Sequence, residues 1–130
     1  MPSVEILSQG DEVLTGQITD TNSAWLADRL TALGFDVVRH TTVGDRLDDI
    51  CAAIRTAVDT ADLVLSTGGL GPTDDDLTTR AVARVFDTEL ALDQEALARI
   101  ESLYARYGRT MPAVNRRQAM LPVGCARLDN

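Results

Sequence analysis

The chain has 130 residues, 45% of them hydrophobic and 25% charged, and no apolar run approaches the length of a bilayer span. That composition describes one globular domain over residues 1–130, with a core large enough to need no staples, and no membrane partner. A net charge of −8 argues against non-specific nucleic-acid binding, and because arginine supplies all 12 basic residues there is no catalytic or Walker-type lysine.

The opening Met1-Pro2-Ser3-Val4-Glu5 lacks the basic start of a signal peptide, so a cytoplasmic location is expected. Residues 4–8 read as a short first strand, and residues 9–16 as a loop carrying Asp11 and Glu12 between two glycines. Thr21 or Asn22 is placed to cap a helix with Leu26, Leu30 and Leu33 on one face, stopped by Gly34. Residues 35–43 are rich in β-branched side chains and read as a second strand. Asp45 is then a candidate N-cap for a helix whose apolar face is Leu47, Ile50, Cys51, Ile54 and Val58. Cys51 on that face reads as an inert core thiol, and Cys51 and Cys125 together show neither metal-ligand spacing nor a disulfide framework.

Residues 62–66 form an apolar run that reads as a buried central strand, and Leu77, Ala81, Val82, Val85 and Phe86 have helical spacing. Between them lies Thr67-Gly68-Gly69-Leu70-Gly71-Pro72-Thr73-Asp74-Asp75-Asp76. Glycines allow a tight turn and close approach of a ligand, and amides at a helix start favour anions. A short strand over residues 89–92 follows, then a helix capped by Asp93 that bears Leu97, Ile100, Leu103, Tyr104 and Tyr107 and stops at Gly108. A short helix is expected around residues 113–119, a turn at 121–124 and a further strand from Cys125 to Leu128. Strands alternating with helices imply βαβ crossovers and a mainly parallel sheet covered on both faces, with ligands bound at the strand carboxyl ends.

At that edge the glycine loop reads either as a plain tight turn or as a phosphate site. One of Asp74, Asp75 and Asp76 can cap the next helix; three exceed what a cap needs. Two carboxylates about 5 Å apart repel by roughly 3 kcal/mol at an effective dielectric near 20, which favours a shared divalent cation in a partly dry site. Asp11 and Glu12 pose the same choice between solvated acids and a ligand-facing pair. Asp48 and Asp49 read as ordinary first-turn acids and His40 as structural, while Asn115-Arg116-Arg117-Gln118 reads either as a solvated turn or as a guanidinium source for a diphosphate.

The run Thr67 to Thr73 with Asp75, Asp76 and Thr78 resembles the TGGLGPTxDDxT signature of the CinA family, in its N-terminal molybdopterin-binding-like domain. Gly10-Asp11-Glu12-Val13-Leu14 with Gly16-Gln17-Ile18 and Thr21-Asn22, then Thr42-Val43-Gly44-Asp45, then Asn115-Arg116-Arg117-Gln118-Ala119 with Pro122 and Gly124, resemble further segments of the same family in the same order. The resemblance covers nearly the whole chain and departs at Gln9, where the family usually has a small or apolar residue, and at Asp74, its variable position.

What the resemblance implies is a three-layer αβα, molybdopterin-binding-like fold shared with MogA, MoaB and MoeA domains, a small nucleotide or pterin ligand, and self-association as a dimer or trimer. It also implies metal-dependent hydrolysis of ADP-ribose to AMP and ribose 5-phosphate with Mg²⁺ or a similar cation. Residue by residue, Gly68, Gly69, Gly71 and Thr73 are expected at the phosphates, with Asn22, Asp45, Asn115 and Arg116 as further ligand contacts. Asp75, Asp76 and Asp11 are expected at the metal, and Asp76 and Glu12 in catalysis. The family domain continues past residue 130, so a shortened domain is expected. Two other readings stand beside hydrolysis: a module that binds a pterin or nucleotide without turnover, and a molybdopterin adenylyltransferase. Leu70-Gly71-Pro72 in place of the adenylyltransferases' Thr-Gly-Phe type of loop argues against the second.

Overall fold

A computed structural model of the chain describes residues 1–129. Its centre is strand β1 (Ser3–Gln9), flanked in parallel by β2 (Asp36–Val43) and β3 (Leu63–Thr67). Alternation along β1 sorts its side chains to two faces. Val4 and Ile6 pack with Leu30 under helix α2 (Thr21–Ala32). Leu7 packs with Ile50, Cys51, Ile54, Leu77 and Ala81 under helices α3 (Leu47–Thr60) and α4 (Thr78–Val85). Helices on both faces of a parallel sheet make the expected αβα layering, and Cys51 sits in the core as read.

Several elements differ from the sequence reading, each for a physical reason. The loop after β1 contains a one-turn helix, α1 (Asp11–Leu14). Neither Thr21 nor Asn22 caps α2; Asp20 does, accepting from the Ser23 amide at 2.9 Å. The same carboxylate takes the Ser23 hydroxyl at 2.6 Å and the Ser8 hydroxyl at 2.5 Å, so the cap also fastens α2 to β1. Nor does Asp45 cap α3, whose N-cap position is Arg46, because Asp45 is engaged with residues across the sheet edge. None of Asp74 to Asp76 caps α4; that position is Leu77 and carries no side-chain cap.

Among the described residues β3 is an outer strand rather than the central one, and its Leu63 is 37% exposed. The fourth strand, β4 (Leu90–Leu92), leaves the parallel sheet and pairs antiparallel with β5 (Met120–Pro122), partly where a turn was expected. No strand forms from Cys125 to Leu128; that stretch runs irregularly, with Arg127 bound to Glu95 at 2.5 Å. Helix α5 (Gln94–Arg106) and the 3₁₀ turn Ala113–Ala119 complete a small second cluster around Leu97 and Ala119. Asp93 caps α5 as expected, accepting from the Ala96 amide at 2.8 Å. Leu33, Val58, Phe86, Leu103 and Tyr107, counted among the apolar positions of their helices, are exposed. Among the described residues no helix is long and apolar enough to cross a membrane.

Candidate functional site

The carboxyl ends of β1, β2 and β3 meet at one edge, and a single side chain there ties the end of β1 to the loops that leave β2 and β3. Gln9, the last residue of β1, is 5% exposed. Its Nε2 donates to Asp45 Oδ1 and, at 3.2 Å, to the Asp75 carbonyl. Its Oε1 accepts from the Thr78 hydroxyl at 2.8 Å, and that hydroxyl also lies 2.9 Å from the Gly68 carbonyl. Burying a carboxamide is costly unless both ends are bonded; Gln9 meets that condition by reaching from the end of β1 to the loops after β2 and β3.

The glycine loop owes its shape to the same group. Gly68 and Gly69 have φ of 87° and 69°, a region that costs a residue with a Cβ roughly 1–2 kcal/mol. A Cβ on Gly69 would also overlap the Gln9 carboxamide and the Thr78 hydroxyl. Further along, Asp76 folds back instead of reaching outward: its Oδ2 accepts from the Thr73 amide at 2.8 Å and the Thr73 hydroxyl at 2.6 Å. Partial burial pushes the Asp76 carboxyl up. The Thr73 hydroxyl and amide, the Gly71 amide and the positive field of Arg117 outweigh it, and the carboxyl sits below its ordinary range.

A hollow of about 280 Å³ opens beside this loop, walled by Gly69, Gly71, Asp76, Arg80, Arg117 and Gln118 among others. Arg80 comes from α4, and Arg117 from the 3₁₀ turn, where it pairs with the fully exposed Asp74 at 2.6 Å. Exposed pairs of this kind are worth little, about 0–1 kcal/mol, so an incoming anion competes easily for the guanidinium. The hollow therefore joins glycine backbone with two forked cations, the donor set that matches phosphate oxygens.

The other loops use their acids differently. Asp11 Oδ1 accepts from the Asp45 amide at 2.8 Å and Asp45 Oδ2 accepts from the Asp11 amide at 3.2 Å, a reciprocal clasp of the first two loops. Gly44 is buried at the clasp, where a Cβ would stand 2.5 Å from Asp11 Oδ1. Glu12 folds over Gly10.

The structure thus brings Gly68, Gly69, Gly71, Thr73, Asp75 and Asp76 into one loop, with Asp11, Glu12 and Asp45 on the neighbouring ones. It does not bring Asn115, Arg116 or Asn22 to the hollow. Asn115 is buried on the far side of the 3₁₀ turn, where it donates to Gln118 at 2.9 Å. Arg116 is exposed and is no part of the hollow's wall; its neighbour Arg117 supplies the guanidinium. Asn22 is exposed on α2, across the sheet. Sequence reasoning missed Gln9, which it noted only as a departure, and Arg80, one turn into a helix that follows a glycine loop.

Among the described residues no three Asp, Glu, His or Cys side chains converge to hold a metal ion. A cation caged by Asp11, Asp75 and Asp76 together does not fit, since Asp11 is bonded to Asp45 and Asp76 to Thr73. A cation carried on phosphate oxygens needs only one or two carboxylates, and the exposed Asp75 or the adjacent Asp76 meets that requirement.

A parallel sheet layered between helices, with a glycine loop and arginines at its carboxyl edge, defines an αβα domain. The sequence over residues 5–129 matches the family model described as "Probable molybdopterin binding domain", and the chain belongs to that family. It is 47% identical over 128 residues to a CinA-like protein of Gemmatimonas aurantiaca, covering 98% of this chain and 30% of the relative. The chain thus spans about a third of the length of the curated relatives it matches. Its fold resembles the crystal structure of the protein CinA from Thermoplasma acidophilum with a TM-score of 0.87 and 35% identity, over 95% of this chain and 73% of that one. The molybdopterin biosynthesis enzyme MoaB of Thermus thermophilus is similar with a TM-score of 0.62 and 28% identity, over 89% and 72% of the two chains. The expected family and fold are therefore those observed, and the CinA signature lies on the loop that walls the hollow.

Proposed function

We propose that the chain binds a nucleotide diphosphate at the glycine-loop hollow and hydrolyses it, with ADP-ribose split to AMP and ribose 5-phosphate. The observation that carries this reading is the meeting of Arg80 and Arg117 with Gly69 and Gly71 on one small hollow. The guanidiniums hold and neutralise the phosphates, and the glycine backbone lets them approach. Asp75 and Asp76 would hold the divalent cation that accompanies the substrate. Such a cation, when bound, polarises the phosphoryl group and acidifies water. Water adds to one phosphorus, the bridging P–O bond breaks with its electron pair on the departing phosphate, and Glu12 accepts the water's proton. Asp76, held at a low pKa, serves as a ligand and hydrogen-bond acceptor throughout.

Incubation with ADP-ribose and Mg²⁺ is expected to yield AMP and ribose 5-phosphate, and Asp76→Asn to abolish the yield; unchanged turnover in that variant sinks the assignment. A second reading, binding without turnover, is favoured by the engagement of Asp76 with Thr73 and of Asp11 with Asp45. It predicts ADP-ribose affinity with no product under any divalent cation. A homodimer or homotrimer in the cytoplasm is part of the same proposal, and sedimentation velocity reads the assembly state.

A further inference from the structure

The two arginines of the glycine-loop hollow do not stand in the same state. Arg80 has no acidic partner among the described residues. Arg117, on the same wall, donates through Nη1 to Asp74 Oδ1 at 2.6 Å, across 43 positions of sequence. The Asp74 carboxylate is 99% exposed, is no part of the hollow's wall, and has Arg117 as its one partner among the described residues. Its neighbour Asp76 is committed to the Thr73 amide and hydroxyl and so is bound into the loop. Asp74 has no such tie. An anion entering the hollow therefore meets one open guanidinium and one that is already engaged.

We propose that Asp74 is an internal competitor for that anion, a carboxylate that occupies Arg117 until a phosphate group displaces it, and so sets the affinity of the hollow and its dependence on salt. The proposal rests on the phosphate reading above. Carboxylate and phosphate oxygens take the same donors of the guanidinium fork, so they exclude one another there. An ion pair this exposed is weak, and the apparent affinity is reduced only by the fraction of molecules in which Arg117 is engaged. Asp74 thus lowers affinity by a small factor without closing the site.

Isothermal titration of this chain with inorganic diphosphate, without divalent cations and at low salt, tests the proposal. Asp74→Asn keeps the shape of the side chain, removes its charge and lies at an exposed position where folding does not depend on it. It is expected to tighten diphosphate binding by about two- to fivefold, and the gain is expected to shrink as added salt screens the pair. Arg117→Ala is expected to weaken binding and to cancel the gain, so that Asp74→Asn placed on top of it changes nothing. A gain of the same size with and without Arg117 is a general charge effect and overturns the proposal, as does no gain at all. Binding that Arg80→Ala and Arg117→Ala weaken while Asp74→Asn leaves it unchanged keeps the phosphate reading and removes only the competitor. No diphosphate affinity in any of these chains overturns both.

Discussion

The loop after β1 and the loop after β3 both set glycine before acids, at the same sheet edge, yet their carboxylates have different partners. Asp11 reaches across to the backbone of Asp45, and Asp45 returns the bond, so the first loop's acid is spent joining two segments distant in sequence. Asp76 turns onto Thr73, three residues back, and shapes only its own loop. The second loop also meets arginines, whereas no arginine pairs with Asp11 or Asp45 among the described residues. A glycine followed by acids is therefore not one motif: what decides its use is whether cationic side chains of later elements arrive beside it.

The sharpest way to break this contrast is at the glycines. Gly69→Ala combines a left-handed backbone with overlap on Gln9 and Thr78, and is expected to cost about 3–5 kcal/mol in urea unfolding. Gly44→Ala meets the ends of two side chains, the Asp11 carboxylate and Leu14 Cδ2, without a left-handed backbone and is expected to cost about 1–3 kcal/mol, so equal losses would erase the distinction. Gln9→Ala removes the buried carboxamide that ties β1 to the loops after β2 and β3, about 2–3 kcal/mol by the same measurement. Asp11→Asn weakens one exposed clasp and is expected to shift stability by no more than about 1 kcal/mol while sparing any phosphate affinity.

The smallest effect is set by pH. Asp76, Asp20 and Asp62 all have folded carboxyls below their ordinary value of 3.8. For Asp76 and Asp20 burial works against hydrogen bonds that prevail, Thr73 acting on the first and Ser23 with Ser8 on the second. For Asp62 the Ser3 amide and hydroxyl act with little opposition. The unfolded chain therefore takes up these protons first on acidification. The stability these acids contribute is complete above 3.8 and drains away as pH falls through the lower folded values. Acid titration of the unfolding midpoint is expected to flatten in that window in Asp20→Asn; an unchanged slope would remove Asp20 from the account.

Much of the architecture was legible because it is written locally. The first two strands, the period of α3, the Asp93 cap and the glycine loop all declare themselves within a dozen residues. What failed to show depends on partners far along the chain. Asp45 has the look of a helix cap, and the approach of Gln9 and Asp11 turns it elsewhere. The strand Leu90–Leu92 has the same kind of sequence as a parallel strand, but pairs with Met120–Pro122, whose proline hides it. The cap of α2 was missed by one residue, although Asp20 with Ser23 three positions on carried the signal. Choosing Arg116 over Arg117 was a matter of rotation about a 3₁₀ turn, which no spacing rule resolves in so short a segment.

The position of β1 has a consequence for the order in which the molecule can be assembled. Of the three parallel strands, the one synthesised first is the one that must lie in the middle, with Val4 waiting for Val37 on one side and Leu63 on the other. Gln9 waits longer still, for Thr78. Contacts that close such long intervening segments form slowly, and their late arrival leaves apolar strands uncovered in the meantime. The carboxyl edge is then the last part of the sheet to be completed, so the hydrogen bonds of Gln9 are expected to lag behind secondary structure during refolding.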